Sequence, residues 1–207
     1  MKLHTYKIAL MGIEPPIWRR FKVSSTMSFH QFHEVIQRVM GWENYHMYSF
    51  IVGNMRIEYI DSESEFMNFD NMKLEHSEET ILEDVFKKKG DKAMYTYDFG
   101  DNWEHEIVLE KKENVSSDEI EAVCLDGARA CPKEDCGSTT GYYDCVIAYY
   151  QNQKWKDNPG HKPFEEGDTD EEEFNELIEW MENWQPEYFD IEKVNKELRK
   201  YTKKLNR

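Results

Sequence analysis

The stretch Tyr95-Thr96-Tyr97-Asp98-Phe99-Gly100-Asp101-Asn102-Trp103-Glu104-His105-Glu106 constrains this chain more than any other. Successive side chains of a strand point to opposite faces, so Trp103, His105, Ile107 and Leu109 share one side and Glu104, Glu106 and Glu110 the other. Residues 94–99 and 103–110 therefore read as an antiparallel hairpin turning through Gly100-Asp101-Asn102. The same alternation over residues 45–52 places His46 with Tyr48, Phe50 and Val52. Burying an imidazole without a partner costs on the order of 1–3 kcal/mol, so two inward histidines need company. With Asp98 and Asp101 at a strand end, His46 and His105 could line one pocket. That set would supply a general base oriented by a carboxylate, or would hold a divalent metal through N and O ligands. The simpler outcome is that each histidine is hydrogen-bonded in the core and the two aspartates cap the turn.

The rest of the chain supplies partners for that hairpin. Residues 3–11 and 17–23 alternate on either side of Pro15-Pro16, and residues 45–52 and 55–60 form a second hairpin across Gly53-Asn54. Ser28 to Gln31 has capping-box form, and Gly41 stands where a C′ glycine ends a helix. Between them Phe29, Phe32, Val35, Ile36, Val39 and Met40 fall on one face, with His33 at its edge and His30 on the polar side. Residues 61–79 read as a polar excursion, 80–86 as a short helix, 124–141 as a loop, 142–150 as a helix and 151–168 as a linker. Two more helices follow, opening at Thr169 and running from Ile191. Strands first and helices last predict an α+β fold, a mainly antiparallel sheet with helices packed on it. Residues 1–185 are expected to form a single domain, and residues 186–207 an amphipathic helix packed on it or extending from it.

Charge narrows the function classes. The formal net charge is −16. Residues 164–190 hold twelve acidic and no basic side chains, whereas residues 191–207 hold seven basic against two acidic, an excess of +5 that leaves −21 for the rest. Such a body repels phosphate, so only the C-terminal helix, alone or with Arg19 and Arg20, could attract nucleic acid. No apolar run reaches the length of a membrane span, and the location expected is cytoplasmic. No P-loop, G-x-G-x-x-G, H-E-x-x-H, G-x-S-x-G or C-x-x-C motif is present. The cysteines, Cys124, Cys131, Cys136 and Cys145, are spaced more widely than the usual zinc pairs. They read first as buried thiols. A Gly- and Pro-rich loop could still fold Cys124, Cys131 and Cys136 around one metal, while Cys145 looks like core.

Several segments recur together: Pro15-Pro16-Ile17-Trp18-Arg19-Arg20; Gly41-Trp42 with His46; Tyr97-Asp98-Phe99-Gly100-Asp101 with Trp103 and His105. To these add Cys124-Leu125-Asp126-Gly127, Ala130-Cys131-Pro132, Glu134-Asp135-Cys136-Gly137 and Gly141-Tyr142. In this order and spacing they resemble the plasmid pRiA ORF-3-like family, also known as transposon-passenger, TnpR-like proteins. The pattern departs from many relatives at Ser138, where a second glycine is common. The resemblance implies one α+β domain without an assigned activity, in the genomic company of mobile elements. A recombinase is not expected, since it needs clustered arginines and a DNA-binding surface.

Three functions follow as expectations. The first is a non-enzymatic binding or interaction module with a protein partner, in which Trp18, Arg19, Trp42, Trp103 and Glu106 mark a pocket or motif. The second is a metal-dependent hydrolytic enzyme using His46, Asp98, Asp101 and His105, with a divalent metal as cofactor. The third is nucleic-acid binding through residues 191–207.

Overall fold

The alternating segments pair as strands of one sheet, some through tight hairpins and others between segments distant in sequence. The structure, a computed structural model, describes residues 1–60, 72–116, 119–158 and 169–207, with residues 169 and 170 described by backbone alone. Its elements run β1 (Lys2–Leu10), β2 (Trp18–Ser24), α1 (Phe29–Met40), β3 (Tyr48–Val52), β4 (Met55–Glu58), β5 (Lys73–His76), α2 (Leu82–Val85) and β6 (Lys92–Tyr97). Then come β7 (Trp103–Asn114), β8 (Ala122–Ala128), α3 (Ser138–Asp157), α4 (Thr169–Met181) and α5 (Ile191–Leu205). The described strands form one eight-stranded sheet in the order β5-β4-β3-β6-β7-β1-β2-β8. Every neighbouring pair is antiparallel except β4 and β5, so the α+β expectation holds.

α1 closes one face of the sheet. The Ser28 hydroxyl accepts from the Gln31 amide while the Gln31 side chain accepts from the Ser28 amide, and Gly41 ends the helix in the left-handed region. The inward face of α1 sets Phe29 and Phe32 against Tyr6, Phe21, Phe50 and Phe86, with ring centres 4.8–6.4 Å apart. Edge-on and offset rings of this kind add to the burial of their large area. At the far edge, α5 lies against β8, where Asn195 donates to the Cys124 carbonyl and accepts from the Cys124 amide. α3 and α4 pack on each other through Cys145, Ala148, Phe174 and Met181.

Four expectations are corrected. The strand expected over residues 45–52 begins only at Tyr48, so His46 precedes the ladder and is not an inward strand residue. Its ladder stops because the Tyr97 hydroxyl takes the amides of Tyr45 and His46. Residues 124–128 of the stretch read as loop belong to a strand that begins at Ala122, α3 starts at Ser138, and it continues to Asp157 into the stretch read as linker. Part of the polar excursion is β5, which pairs in parallel with β4, while residues 61–71 lie outside those described. His33 is buried at 1% exposure rather than at a boundary. Its ring stacks on Tyr48 at 3.6 Å, and its nitrogens lie 2.8 Å from the Tyr95 hydroxyl and 2.6 Å from Asn44 Oδ1.

Gly127 explains why β8 is hard to see. A Cβ there would sit 2.7 Å from Arg19 Cδ and 2.8 Å from Phe189 Cε1, so the position must stay bare. Gly127→Ala is expected to cost about 1–3 kcal/mol through overpacking, read as a lower urea midpoint.

Burial lowers the pKa of His33 to about 3 and those of His4 and His105 to about 4. Each ring is therefore neutral when folded but protonates near pH 6.5 when unfolded. Between those values the unfolded chain binds more protons, so stability is complete above pH 6.5 and is lost as the pH falls toward 4. The expected slope is about 1.4 kcal/mol per pH unit for each histidine. Urea midpoints at about pH 7, 6 and 5 should show it, and His105→Leu should flatten the slope by one proton's worth.

Candidate functional site

One end of the sheet gathers four segments. β6 finishes there at Tyr97, β7 starts at Trp103, residues 43–47 run in toward β3, and residues 129–137 fold over from β8 to α3. Tyr97 joins three of them. Its buried phenol accepts from the Tyr45 amide at 2.9 Å and the His46 amide at 3.4 Å, and donates to Glu134 Oε1 at 2.5 Å. The other Glu134 oxygen accepts from the Glu43 amide at 2.8 Å. Burial and the neighbouring Glu134 carboxylate push the Tyr97 phenol above its usual range, so it remains a donor.

This clamp turns the His46 ring toward carboxylates. His46 Nε2 lies 3.0 Å from Asp135 Oδ1, 3.6 Å from Glu134 Oε1 and 3.7 Å from Asp98 Oδ2. Side-chain exposure grades from 8% at Glu134 and 12% at Asp98 to 30% at His46 and 67% at Asp135, so the cluster opens on one side. Asp98 follows β6 with φ 55°, and its Oδ1 accepts from the Gly100 amide at 2.9 Å, which leaves Oδ2 facing the histidine. Asp135 also has positive φ, 59°. Among the described residues no Lys or Arg pairs with these three carboxylates. His46, Asp98 and Asp135 are the one group of three there whose ligand atoms all lie within 4.8 Å of one another.

Asp101 stands beside the cluster. Its Oδ2 accepts from the Gly137 amide at 3.1 Å, placing a carboxylate at the amino end of α3 where the helix dipole favours it. Gly141 and Ser138 shape the same turn. A Cβ on Gly141 would meet Cys136 O at 1.7 Å, and Ser138 holds φ 63°, the region that favours glycine.

The other nominated residues are placed elsewhere. His105 is fully buried, with Nδ1 3.3 Å from the Tyr95 carbonyl, and its ring contacts are Tyr95 and Trp42. The His46 ring contact is Tyr97, so the structure does not bring the two histidines together. Trp42 and Trp103 are buried with ring centres 5.6 Å apart. Trp18 lies between Lys7 and Arg20, and Glu106 pairs with Lys92 at 2.6 Å. Arg19 is buried and donates to four backbone carbonyls.

All four cysteines are free. Cys124 lies on β8, its sulfur 3.7 Å from the Arg20 and Asp126 carbonyls. Burial pushes the thiols up, to about 11 at Cys124, about 12 at Cys136 and beyond the ordinary range at Cys131. Among the described residues no cysteine joins a group of three at ligand spacing. Tyr97, Glu134 and Asp135 were not foreseen as site residues. The sequence does carry a signal for them: Glu134-Asp135 lies between Cys131 and Cys136, and Tyr97 precedes Asp98.

Comparisons with known proteins agree with one another. The family model described as plasmid pRiA4b ORF-3-like protein matches residues 2–193. The uncharacterized protein y4hQ of Sinorhizobium fredii is 31% identical over 138 residues, spanning 67% of this chain and 68% of the relative. A crystal structure of the protein of unknown function MM3350 from Methanosarcina mazei superposes with a TM-score of 0.71 at 30% identity. That match covers 93% of this chain and 96% of the other.

Proposed function

The chain belongs to the plasmid pRiA4b ORF-3-like family, and from that premise we propose that its working site is a divalent-cation centre built from His46, Asp98 and Asp135 and used for hydrolysis. The observation that carries this reading is the spacing around His46 Nε2. Two ligand atoms about 2.0–2.2 Å from a shared ion, at tetrahedral or octahedral angles, stand roughly 3.0–3.5 Å apart. The separations of 3.0 Å to Asp135 and 3.7 Å to Asp98 fit that range with small adjustments. One imidazole with two carboxylates suits zinc, manganese or iron better than calcium, which prefers an all-oxygen shell.

Each neighbour has a part. Tyr97 fixes the His46 backbone, and Glu134, with both oxygens hydrogen-bonded, stands 3.6 Å from the same Nε2 and adds negative charge beside the ion's position. The exposed side at Asp135 leaves coordination positions for water and substrate. An ion held there would polarise a substrate carbonyl and acidify a bound water. The carboxylates of Asp98, Asp101, Glu134 and Asp135 disfavour anionic substrates, so a neutral or cationic ester or amide fits best. Compared with the expected set of four, Asp98 and His46 stay, Asp101 supports the loop, and His105 belongs to the core.

Manganese or zinc added to metal-free protein should bind at one equivalent. At an ion concentration about a hundredfold above Kd, stability should rise by about 2.7 kcal/mol, or about 5–10 °C in Tm. Asp98→Asn with Asp135→Asn should abolish that rise and any metal-dependent cleavage of a panel of chromogenic esters and anilides. An equal rise in the double variant, or none in the native chain, overturns the centre. Binding without turnover overturns the hydrolytic part alone.

A further inference from the structure

Two helices carry opposite charge and do not neutralise each other. On α4 the exposed Glu172, Glu173, Glu176 and Glu179 make no ion pair among the described residues, and the helix has no Lys or Arg. Glu172, Glu176 and Glu179, with Glu171 and Asn175, border a shallow concavity of about 420 Å³. On α5 the inner face buries Leu198 and packs Val194, Tyr201 and Leu205 on the core. Its outer face exposes Lys196, Arg199, Lys200, Lys203 and Lys204, with one internal pair from Lys200 to Glu197. Arg38 of α1 stacks over Tyr201 at 4.2 Å beside that surface, its own charge paired with Glu34.

Within a chain the two faces are held apart, since α4 packs on α3 while α5 packs on β8 and α1. We propose that they meet between chains: a second copy of this protein docks with α4 of each protomer against α5 of the other, about a two-fold axis. Two observations select that occupant, and symmetry fixes its number. The helices match in length, 13 and 15 residues or roughly 20 Å each. Their signs are complementary along that length. A two-fold axis uses each face once per chain, so the assembly closes as a dimer instead of growing into a filament. The net charge of −16 opposes pairing of the bodies, but at physiological salt that repulsion is screened beyond about 8 Å. The contacting helices lie inside this distance. Nucleic acid is a poorer occupant for the basic face, because the adjoining acidic body would repel its backbone.

Light scattering on the full chain should show a concentration-dependent dimer at about 0.05 M salt that dissociates by about 0.5 M. The variant Glu172→Lys/Glu176→Lys/Glu179→Lys should be monomeric, and so should Lys200→Glu/Lys203→Glu/Lys204→Glu. The first cancels the acidic charge of α4 and the second turns α5 acidic like α4, so each removes the complementarity and should lose at least tenfold in self-association. An equimolar mixture of the two restores complementarity at both contacts and should form a heterodimer. All six positions are exposed, and unchanged circular dichroism and Tm confirm that the variants fold. A native chain that stays monomeric at low salt overturns the proposal, as do variants that dimerise normally or a mixture that stays monomeric. Binding of a single-stranded oligonucleotide by a monomer, lost only in the α5 variant, assigns the basic face to nucleic acid instead and equally overturns it.

Discussion

A guanidinium buried with no carboxylate partner among the described residues ties this structure together. Arg19 donates through Nε to the Val39 carbonyl, through Nη1 to those of Trp18 and Ala128, and through Nη2 to that of Arg129, all at 2.7–2.8 Å. Taking such a cation out of water costs several kcal/mol unless its protons are satisfied. Val39 is in the last turn of α1, where the helix dipole welcomes positive charge. The Phe189 ring stacks 3.9 Å away, over the bare Gly127. One side chain thus joins β2, the end of α1, the end of β8, the start of the loop to α3 and the segment that leads into α5. The loop it anchors is the one that delivers Glu134 and Asp135.

Much of this arrangement is legible in the sequence, and the exceptions share a cause. Local signals worked where the interaction was local: the Ser28–Gln31 box, the Gly41 cap, the Gly53-Asn54 turn and the alternation of Trp103, His105, Ile107 and Leu109. They failed where a distant residue decided the conformation. β8 looked like loop because Asp126-Gly127 breaks its pattern, yet the glycine is there for Arg19 and Phe189. His46 looked inward because residues 45–52 alternate, yet the Tyr97 hydroxyl removes two amides from the ladder. β5 is short, and its parallel pairing with β4 has no turn to announce it. The site was half visible for the same reason: His46 and Asp98 drew attention through residue type, whereas Tyr97, Glu134 and Asp135 matter because a loop folds back some 90 residues later.

The backbone at this end is held in unusual conformations. Asn44, Asp98, Asn102, Asp135 and Ser138 all have positive φ, between 55° and 63°. Asn and Asp tolerate that region better than other side chains, but Ser138 does so at a cost, and such positions persist only when the surroundings fix them. Asp101 on the amino end of α3 and the bare Gly141 against Cys136 O supply that fixing. Strain gathers where the carboxylates converge, while the ring cluster under α1 remains regular.

The histidines divide along the same line. His4, His33 and His105 are desolvated, neutral and engaged with tyrosines or a tyrosine carbonyl, so they bring rigidity and sensitivity to acid. His46 alone among these four keeps an open side and faces three carboxylates. Like charges brought this close repel unless a positive charge stands among them. Among the described residues no Lys or Arg pairs with them, and a divalent ion would supply that charge. An ion there would also draw Asp135 and Asp98 together and tighten the loop that begins at Arg129. Occupancy of the site and the hold of Arg19 on the sheet edge would then reinforce each other through the same nine residues, 129–137.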